Sequence, residues 1–242
     1  MFRPTLILGL IATLFSLKVA AQQRPVPPRP DASSKVFDST GHQYAYEEWL
    51  KLVYGGLHTL KIKSAADSSF LLRPMTMDEV IARAKTFPKP KESPSFITGG
   101  GIPSFSDRDL EGNKINLENL KGKTIVLNFF FIGCRPCREE MPALNMLVDY
   151  YKDNKDVAFI AIALDSKSDL RKFLKSTPFK YAIIPDGRNI AQNNNVTLYP
   201  TSVVVNKDGV VLFHSSGGGS ANFAWLAKVV NLSASAPSPA TN

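Results

Sequence analysis

The sequence is poor in the residues that build metal centres and stabilising disulfides. Its 242 residues contain two cysteines, Cys134 and Cys137, and three histidines, His42, His58 and His214, which are far apart. A structural zinc site needs four ligands, usually from a second cysteine pair or a spaced histidine pair. Exported proteins commonly use several cysteines for structural disulfides. We therefore expect a redox pair and no metal, with half of a zinc site as the alternative.

Clusters of basic residues and long hydrophobic runs are also lacking. The chain carries 29 basic and 21 acidic residues, a net charge of +8, without a stripe in which basic and aromatic residues alternate. Nucleic acid is therefore not expected as a partner. The apolar run at residues 6–15 is shorter than the roughly 20 residues that cross a bilayer.

Residues 1–21 have the pattern of a secretory signal. Arg3 provides the charged start, residues 6–15 the apolar core, and Val19, Ala20 and Ala21 the small-residue cleavage site. Cleavage after Ala21 would place the protein in the periplasm or outside the cell. An N-terminal membrane anchor facing the periplasm is the alternative.

Composition divides the rest of the chain into a linker, a small segment, a larger domain and a tail. Residues 22–35 are rich in proline, which favours an extended linker. Helical spacing around Trp49 and a capping box at Thr76 and Glu79 predict two short helices in the small segment, to which no activity is assigned. The predicted parts are the linker at 22–35, the helical accessory segment at 36–96, the domain at 97–232 and a disordered tail at 233–242.

The two cysteines follow a strand that is predicted to be buried. Residues 124–131 are apolar almost throughout, as expected of a strand covered on both faces. A helix that begins at the cysteine pair places the first sulfur at the helix N-terminus. Free N–H groups and the positive end of the helix dipole there favour a thiolate, the species that attacks disulfides. The spacing therefore predicts a reversible disulfide between Cys134 and Cys137.

Alternating strands and helices follow, which predicts an α/β fold with a central mixed sheet and helices on both faces. A hairpin is predicted around Gly112. The predicted later strands are residues 157–164, 181–184, 201–205 and 210–213. Helices are predicted after the cysteines, after Ser166, around Ile190 and over about 221–232.

Two stretches, residues 128–142 and the later Leu198-Tyr199-Pro200-Thr201, resemble the TlpA/ResA-like exported thiol–disulfide oxidoreductases of the thioredoxin superfamily. The resemblance covers about residues 102–232 and includes an extra helix and strand at 166–186. A grouping with the AhpC/TSA redoxins is compatible with the same residues. The resemblance to the TlpA/ResA-like proteins implies a thioredoxin-like fold, no bound cofactor besides the redox disulfide, and a role in redox homeostasis.

The resemblance also implies roles for individual residues. Cys134 matches the attacking cysteine, Cys137 the resolving cysteine, and Glu140 a carboxylate beneath them. Glu140 lies three residues after Cys137 on the same helical face and could accept its proton. An ordinary acid near a helix N-terminus is the alternative. Asn128 stands where thioredoxin has a buried aspartate.

Client contacts are expected around the disulfide and a cis-proline loop. Pro200 matches the cis-proline, and the backbone of its loop would pair with an extended client. Gly133 replaces a tryptophan common in the family, which puts client preference in question. The expected contact residues are Gly133, Arg135, Pro136, Tyr199, Pro200 and Thr201.

We expect an enzyme that exchanges electrons with exported protein thiols or disulfides, with apocytochrome c or its maturation factors among the candidates. An upstream membrane donor would keep it reduced. The reductase direction is favoured, and the oxidant direction stays open. A thiol peroxidase-like redoxin is an alternative, although the residues before Cys134 lack the proline and threonine of a peroxidatic loop. A redox-inactive binding module is the alternative of another class.

Overall fold

The computed structural model describes residues 28–64 and 66–236. The predicted signal at 1–21, residues 22–27 of the predicted linker and residues 237–242 lie outside the described residues. The described chain forms a small N-terminal segment and a larger domain, each built on its own sheet. Within these residues, no helix has the length and apolar character needed to span a membrane.

The N-terminal segment combines a sheet with two helices. Its elements are β1 (Lys35–Phe37), β2 (Gln43–Tyr44), α1 (Tyr46–Tyr54), β3 (His58–Ser64), β4 (Ser69–Pro74) and α2 (Met77–Arg83). The strands lie in the order β2-β1-β4-β3, and Trp49 of α1 packs against Val36, Phe70 and Leu72. Both helices were predicted, and the capping box between Thr76 and Glu79 is present.

The prediction that this segment is helical is wrong, because four strands accompany the helices. In β3, Leu60 and Ile62 alternate with Lys61 and Lys63, a period of two that indicates a strand. Such alternation over so few residues is a weak signal, and β1 and β2 are too short to give one. The strands pair through backbone atoms, which a search for helical spacing does not detect.

The larger domain has a five-stranded sheet. Its elements are β5 (Ser106–Arg108), β6 (Lys114–Asn116), β7 (Thr124–Phe130), α3 (Arg135–Tyr150), β8 (Val157–Ala163), α4 (Lys167–Phe173), β9 (Ala182–Ile184), α5 (Arg188–Asn193), β10 (Thr201–Val205), β11 (Val211–Ser216) and α6 (Ser220–Ser235). The five strands of the central sheet lie in the order β11-β10-β7-β8-β9. Strands β7, β8 and β9 are parallel, and β10 is antiparallel to both β7 and β11. The predicted hairpin at Gly112 joins β5 and β6.

Helices cover both faces of this sheet, as predicted. Every residue of β7 is buried. Val126 and Phe130 face a core shared with α3 and α6, whereas Leu127 and Phe129 face a core shared with α5. The strand thus anchors the cysteine loop that follows it in the middle of the molecule.

Helix α2 of the N-terminal segment and the C-terminal helix α6 both pack against the core of the domain. Met77 and Val80 of α2 belong to the same buried cluster as Phe223 of α6, so the N-terminal segment packs on the domain. Helix α6 continues to Ser235, and the Ser233 hydroxyl lies 2.8 Å from that of Thr124. The prediction of disorder from residue 233 is therefore wrong for residues 233–235, because Ser233 is buried against β7.

Candidate active site

The cysteine pair lies where β7 gives way to α3. The Sγ atoms of Cys134 and Cys137 are bonded to each other at 2.00 Å. Cys134 is the N-cap residue of α3, and its Sγ accepts a hydrogen bond from the backbone N–H of Cys137 at 3.2 Å. Cys134 is 6% exposed and Cys137 1%, so Cys134 is the more accessible of the two residues.

Two side chains hold the loop before the disulfide. The backbone N–H of Ile132 donates to Asp165 Oδ2 at 2.7 Å, and Arg138 Nη1 donates to the Ile132 carbonyl at 2.6 Å. Sequence reasoning missed both. Asp165 follows β8, next to β7 in the sheet, and the carboxyl ends of parallel strands are where sites gather in α/β folds. Its position after an apolar strand was the available signal.

Glu140 lies one turn beyond Cys137. Its side chain keeps partial access to solvent, but protein groups surround the carboxylate. This burial raises the pKa of Glu140 to about 8, and a hydrogen bond from Asn128 partly offsets the effect. A carboxyl group with a pKa in this range can both take up and release a proton near neutral pH.

Asn128 is the group that holds Glu140. Its Nδ2 donates to Glu140 Oε1 at 2.8 Å and lies 3.1 Å from Ser202 Oγ. Asn128 is 1% exposed, so the amide is fixed between β7 and β10 beneath α3. Tyr181 forms another part of these surroundings: burial, and to a smaller extent the charge of Glu140, raise its pKa well above the ordinary value. Ser202 and Tyr181 were not predicted.

Glu139 has quite different surroundings from its neighbour. Its Oε1 accepts a hydrogen bond from Arg135 Nε at 2.8 Å, one helical turn earlier. The Arg135 side chain is 78% exposed, and this pairing raises the pKa of its guanidinium group. The positive charge of Arg135 is thus paired with Glu139 on the surface. The two adjacent glutamates differ in that one is paired and the other buried.

The cis-proline loop lies beside the cysteine loop. The Tyr199–Pro200 peptide bond is cis, as predicted. The rings of Tyr199 and Phe131 meet edge to face with their centroids 5.4 Å apart. Thr201 Oγ1 donates to the Leu198 carbonyl at 2.8 Å, which closes the loop before β10. Gly133 is exposed, and the ring of Phe131 lies beneath it.

A glycine loop between β11 and α6 forms a third side of the site. The N–H of Gly217 donates to the Pro200 carbonyl at 2.8 Å. A Cβ atom on Gly218 would lie 3.5 Å from the Pro136 carbonyl oxygen and 3.7 Å from Glu140 Oε2. The loop therefore joins the cis-proline to the start of α3, a link that the run of three glycines did not reveal in the sequence.

The predicted residues thus fall into two groups. Cys134, Cys137 and Glu140 are brought together at the start of α3, and Tyr199 packs against the buried cluster that contains both cysteines. Arg135 and Gly133 lie at the exposed rim. In the described ranges, no group of three or more His, Cys, Asp or Glu side chains is placed to hold a metal ion.

Comparisons with known proteins agree with this geometry. The AhpC/TSA family matches residues 98–214. Thioredoxin-like protein YneN of Bacillus subtilis is 35% identical over 123 residues, 50% of this chain and 72% of that protein. Thiol-disulfide oxidoreductase ResA of Bacillus cereus is 40% identical over 116 residues, which cover 47% of this chain and 66% of the relative.

Solved structures give the same picture. A thiol:disulfide interchange protein DsbE from Chlorobium tepidum is 26% identical with a TM-score of 0.53, over 57% of this chain and 99% of that one. A protein disulfide isomerase from Bacteroides thetaiotaomicron is 25% identical with a TM-score of 0.53, over 58% and 91%. The N-terminal segment lies outside the family match. The chain belongs to the ResA-like thiol–disulfide oxidoreductases of the thioredoxin superfamily.

Proposed function

We propose that the protein is an exported reductase that passes two electrons from Cys134 and Cys137 to disulfide-bonded client proteins. The observation that carries the proposal is the placement of the cysteine pair at the N-terminus of α3, above the buried carboxyl group of Glu140. A sulfur that can be reached, a shielded second sulfur and a proton acceptor are the parts that a two-step exchange requires.

In the first step the reduced protein attacks its client. The Cys134 thiolate attacks one sulfur of the client disulfide, the client S–S bond breaks, and a mixed disulfide forms between Cys134 and the client. The released client sulfur takes up a proton from water. The hydrogen bond from the Cys137 N–H to Cys134 Sγ and the end of the α3 dipole stabilise the attacking thiolate.

In the second step Cys137 releases the client. The Cys137 thiol gives its proton to the Glu140 carboxylate, and the thiolate attacks Cys134 Sγ. The mixed disulfide breaks, the Cys134–Cys137 disulfide forms, and the second client sulfur leaves and is protonated. An ordinary thiol has a pKa of about 8.5. Because the pKa of Glu140 is about 8 in the disulfide form, the proton moves between groups of similar affinity.

The surroundings of Cys134 support the reductase direction. A dithiol becomes a strong oxidant when its reduced form is unusually stable. Here Arg135 is paired with Glu139, Arg138 donates to the Ile132 carbonyl, and the titratable group buried beneath the cysteines is the carboxyl of Glu140. Both arginines thus have other partners, and the helix end and the Cys137 N–H are the groups that stabilise the Cys134 thiolate. We infer that the disulfide is held only moderately oxidising, as in reductases.

Export and partners follow from the sequence pattern. We propose that residues 1–21 direct the chain out of the cytoplasm and that it acts in the periplasm or outside the cell. A membrane-bound donor of two electrons would restore the dithiol after each turnover. Apocytochrome c, whose haem-attachment cysteines must be reduced, is a candidate client alongside other exported disulfide proteins.

Trapping of clients tests this function. Cys137→Ser should hold clients on Cys134 as mixed disulfides in a periplasmic extract, because the resolving thiol is missing. Cys134→Ser is the matched control and should hold few. Equal trapping by both variants would contradict the assigned roles. Two free thiols after mild oxidation of the parent protein would contradict the proposal as a whole.

A further inference from the structure

We infer that α1 of the N-terminal segment forms part of the client-binding surface. We call Tyr46, Leu50 and Tyr54 the α1 strip. In this inference the strip binds the apolar residues that flank a client's reacting cysteine. The inference rests on the proposed function, because it names the part of the molecule that recognises the clients of that function. The family match does not include this segment.

The α1 strip is a row of exposed apolar side chains along one helix. Its three residues are four positions apart and therefore lie along one side of the helix. They are 37%, 38% and 47% exposed, whereas Trp49 on the same helix is 3% exposed and fills the core of the segment. The helix thus has a buried apolar side and a second apolar side that contacts solvent. Apolar patches of this kind mark interaction surfaces.

The strip begins next to the disulfide helix. A Cβ atom on Gly219 would lie 3.1 Å from the Tyr54 ring, and a Cβ atom on Gly218 would lie 3.5 Å from the Pro136 carbonyl oxygen. Two glycines therefore separate Tyr54 from Pro136, one of the two residues between the cysteines. Large side chains in this loop would separate the two surfaces, and the glycines keep them close.

One electrostatic interaction and one close approach connect α1 with α3. The charge of Glu47, near the start of the helix, contributes to raising the pKa of the Arg135 guanidinium. A Cβ atom on Gly55, at its end, would lie 4.0 Å from the Glu139 carbonyl oxygen. Both ends of α1 are thus placed beside the first turns of α3. Leu50 lies between them on the exposed side.

The reaction determines where a client must lie. One client sulfur has to meet Cys134 Sγ, and an extended chain spans about 3.3 Å per residue. Because Pro136 and two glycines lie between Cys134 and Tyr54, client residues a few positions from that sulfur reach the α1 strip. Disulfide-bonded client chain is accordingly the occupant that continuity with the reacting sulfur favours.

The distribution of exposed apolar residues indicates what the client carries. Among the described residues, eight large apolar side chains are exposed, and four of these are the α1 strip and Leu198 of the cis-proline loop. Gly133 offers no ring beside the sulfur, and the strip provides aromatic area a short distance away. We therefore expect the client to carry leucine or aromatic residues near its cysteine.

Exchange with small disulfides tests the inference. The probes are glutathione disulfide and two ten-residue peptides joined through one cysteine to glutathione. One peptide has leucine and tyrosine two to five residues from the cysteine, and the other has serine and glycine there. With Leu50→Ser/Tyr54→Ser, the rate for the apolar peptide should fall about 10-fold, since about 1.4 kcal/mol corresponds to a tenfold change and buried side chains contribute that much. The rates for the other two probes should stay within about twofold.

Ile62→Ser is the matched control. Ile62 is 46% exposed on β3 of the same segment, and its loss should leave all three rates unchanged. Equal loss of all three rates in the double variant would show damage to the site itself and would overturn the inference. An unchanged rate for the apolar peptide would overturn it as well.

A binding measurement separates this inference from the proposed function. If the parent protein reduces none of the probes, the proposed function fails. The affinity for the apolar peptide with serine in place of cysteine then still tests whether the α1 strip binds client chain. Binding about fivefold weaker in the double variant supports the α1 strip, and equal binding rejects it. A parent dimer that the double variant dissociates, with unchanged peptide rates, would assign the strip to a second copy and overturn the inference.

Discussion

The two parts of the molecule divide the work of an exchange enzyme differently. The domain from residue 98 onward buries its cysteine pair at the start of α3 and belongs to a recognised family. The segment before it contains no cysteine, and its α1 strip is exposed to solvent. We infer from this difference that chemistry depends on the buried interior of the domain, and we propose that client preference depends on a surface that the family match does not include.

The largest effect should come from the domain alone. Cys134→Ser should abolish reduction of insulin disulfides, a loss of at least about 10³-fold, because no other thiolate remains to begin the exchange at the exposed position. The α1 double variant should retain the full rate with glutathione disulfide. Insulin turbidity and glutathione assays measure the two rates. Residual insulin reduction by Cys134→Ser would show that Cys137 attacks directly.

The next effect distinguishes the two adjacent glutamates. Glu140→Gln keeps the shape but removes the proton acceptor, so it should slow release of the Cys134 mixed disulfide by about 10²-fold near pH 7. Glu139→Gln is the control and should leave release nearly unchanged, because Glu139 is paired with Arg135 at the surface. Stopped-flow measurement of mixed-disulfide decay provides the rates. Matching rates for Glu140→Gln and the parent would leave Glu140 without a role in proton transfer.

The same residue should give a pH dependence of stability. Burial raises the pKa of Glu140 from 4.5 to about 8, so between these values the folded protein holds a proton that the unfolded chain has lost. Stability should therefore fall as pH rises from about 5 to 8, by at most about 1.4 kcal/mol per pH unit for one group. Urea unfolding of the oxidised parent and of Glu140→Gln at several pH values measures the difference. A pH dependence shared by both proteins would exclude Glu140 as its source.

A smaller effect tests how firmly the two parts are joined. Val80 is 1% exposed in the cluster that α2 shares with α6. Val80→Ala should cost about 1–3 kcal/mol in the free energy of unfolding. Because the cluster spans both parts, unfolding should remain a single transition. Ile62→Ala, on the exposed side of β3, should cost less. Two separate thermal transitions in the parent would show that the segment is independent.

The sequence predicted the elements that have strong local signals. The uninterrupted apolar run of β7, the capping box at Thr76 and the hairpin at Gly112 each depend on neighbouring residues. The cysteine pair at the start of α3 was predicted for the same reason. The fold class of the larger domain could be inferred because its strands and helices alternate and each has a clear hydrophobic period.

The rest depends on contacts between residues far apart in the chain. Asn128 and Ser202 lie on neighbouring strands, and Asp165 reaches the backbone of Ile132 across the end of the sheet. No nearby residue indicates the contact between Asn128 and Ser202, and the position of Asp165 after an apolar strand indicates a site at the sheet edge but not its partner. The strands of the N-terminal segment were missed for a similar reason, since β1 pairs with β4 more than thirty residues away.

The reduction potential of the Cys134–Cys137 disulfide tests the central claim most directly. Equilibration of the parent protein with dithiothreitol or glutathione mixtures, read by mass spectrometry of the two thiols, measures it. If little stabilises the reduced form, the potential should lie near that of thioredoxin, about −270 mV. A value near about −120 mV, typical of a strong disulfide oxidant, would contradict the reductase proposal.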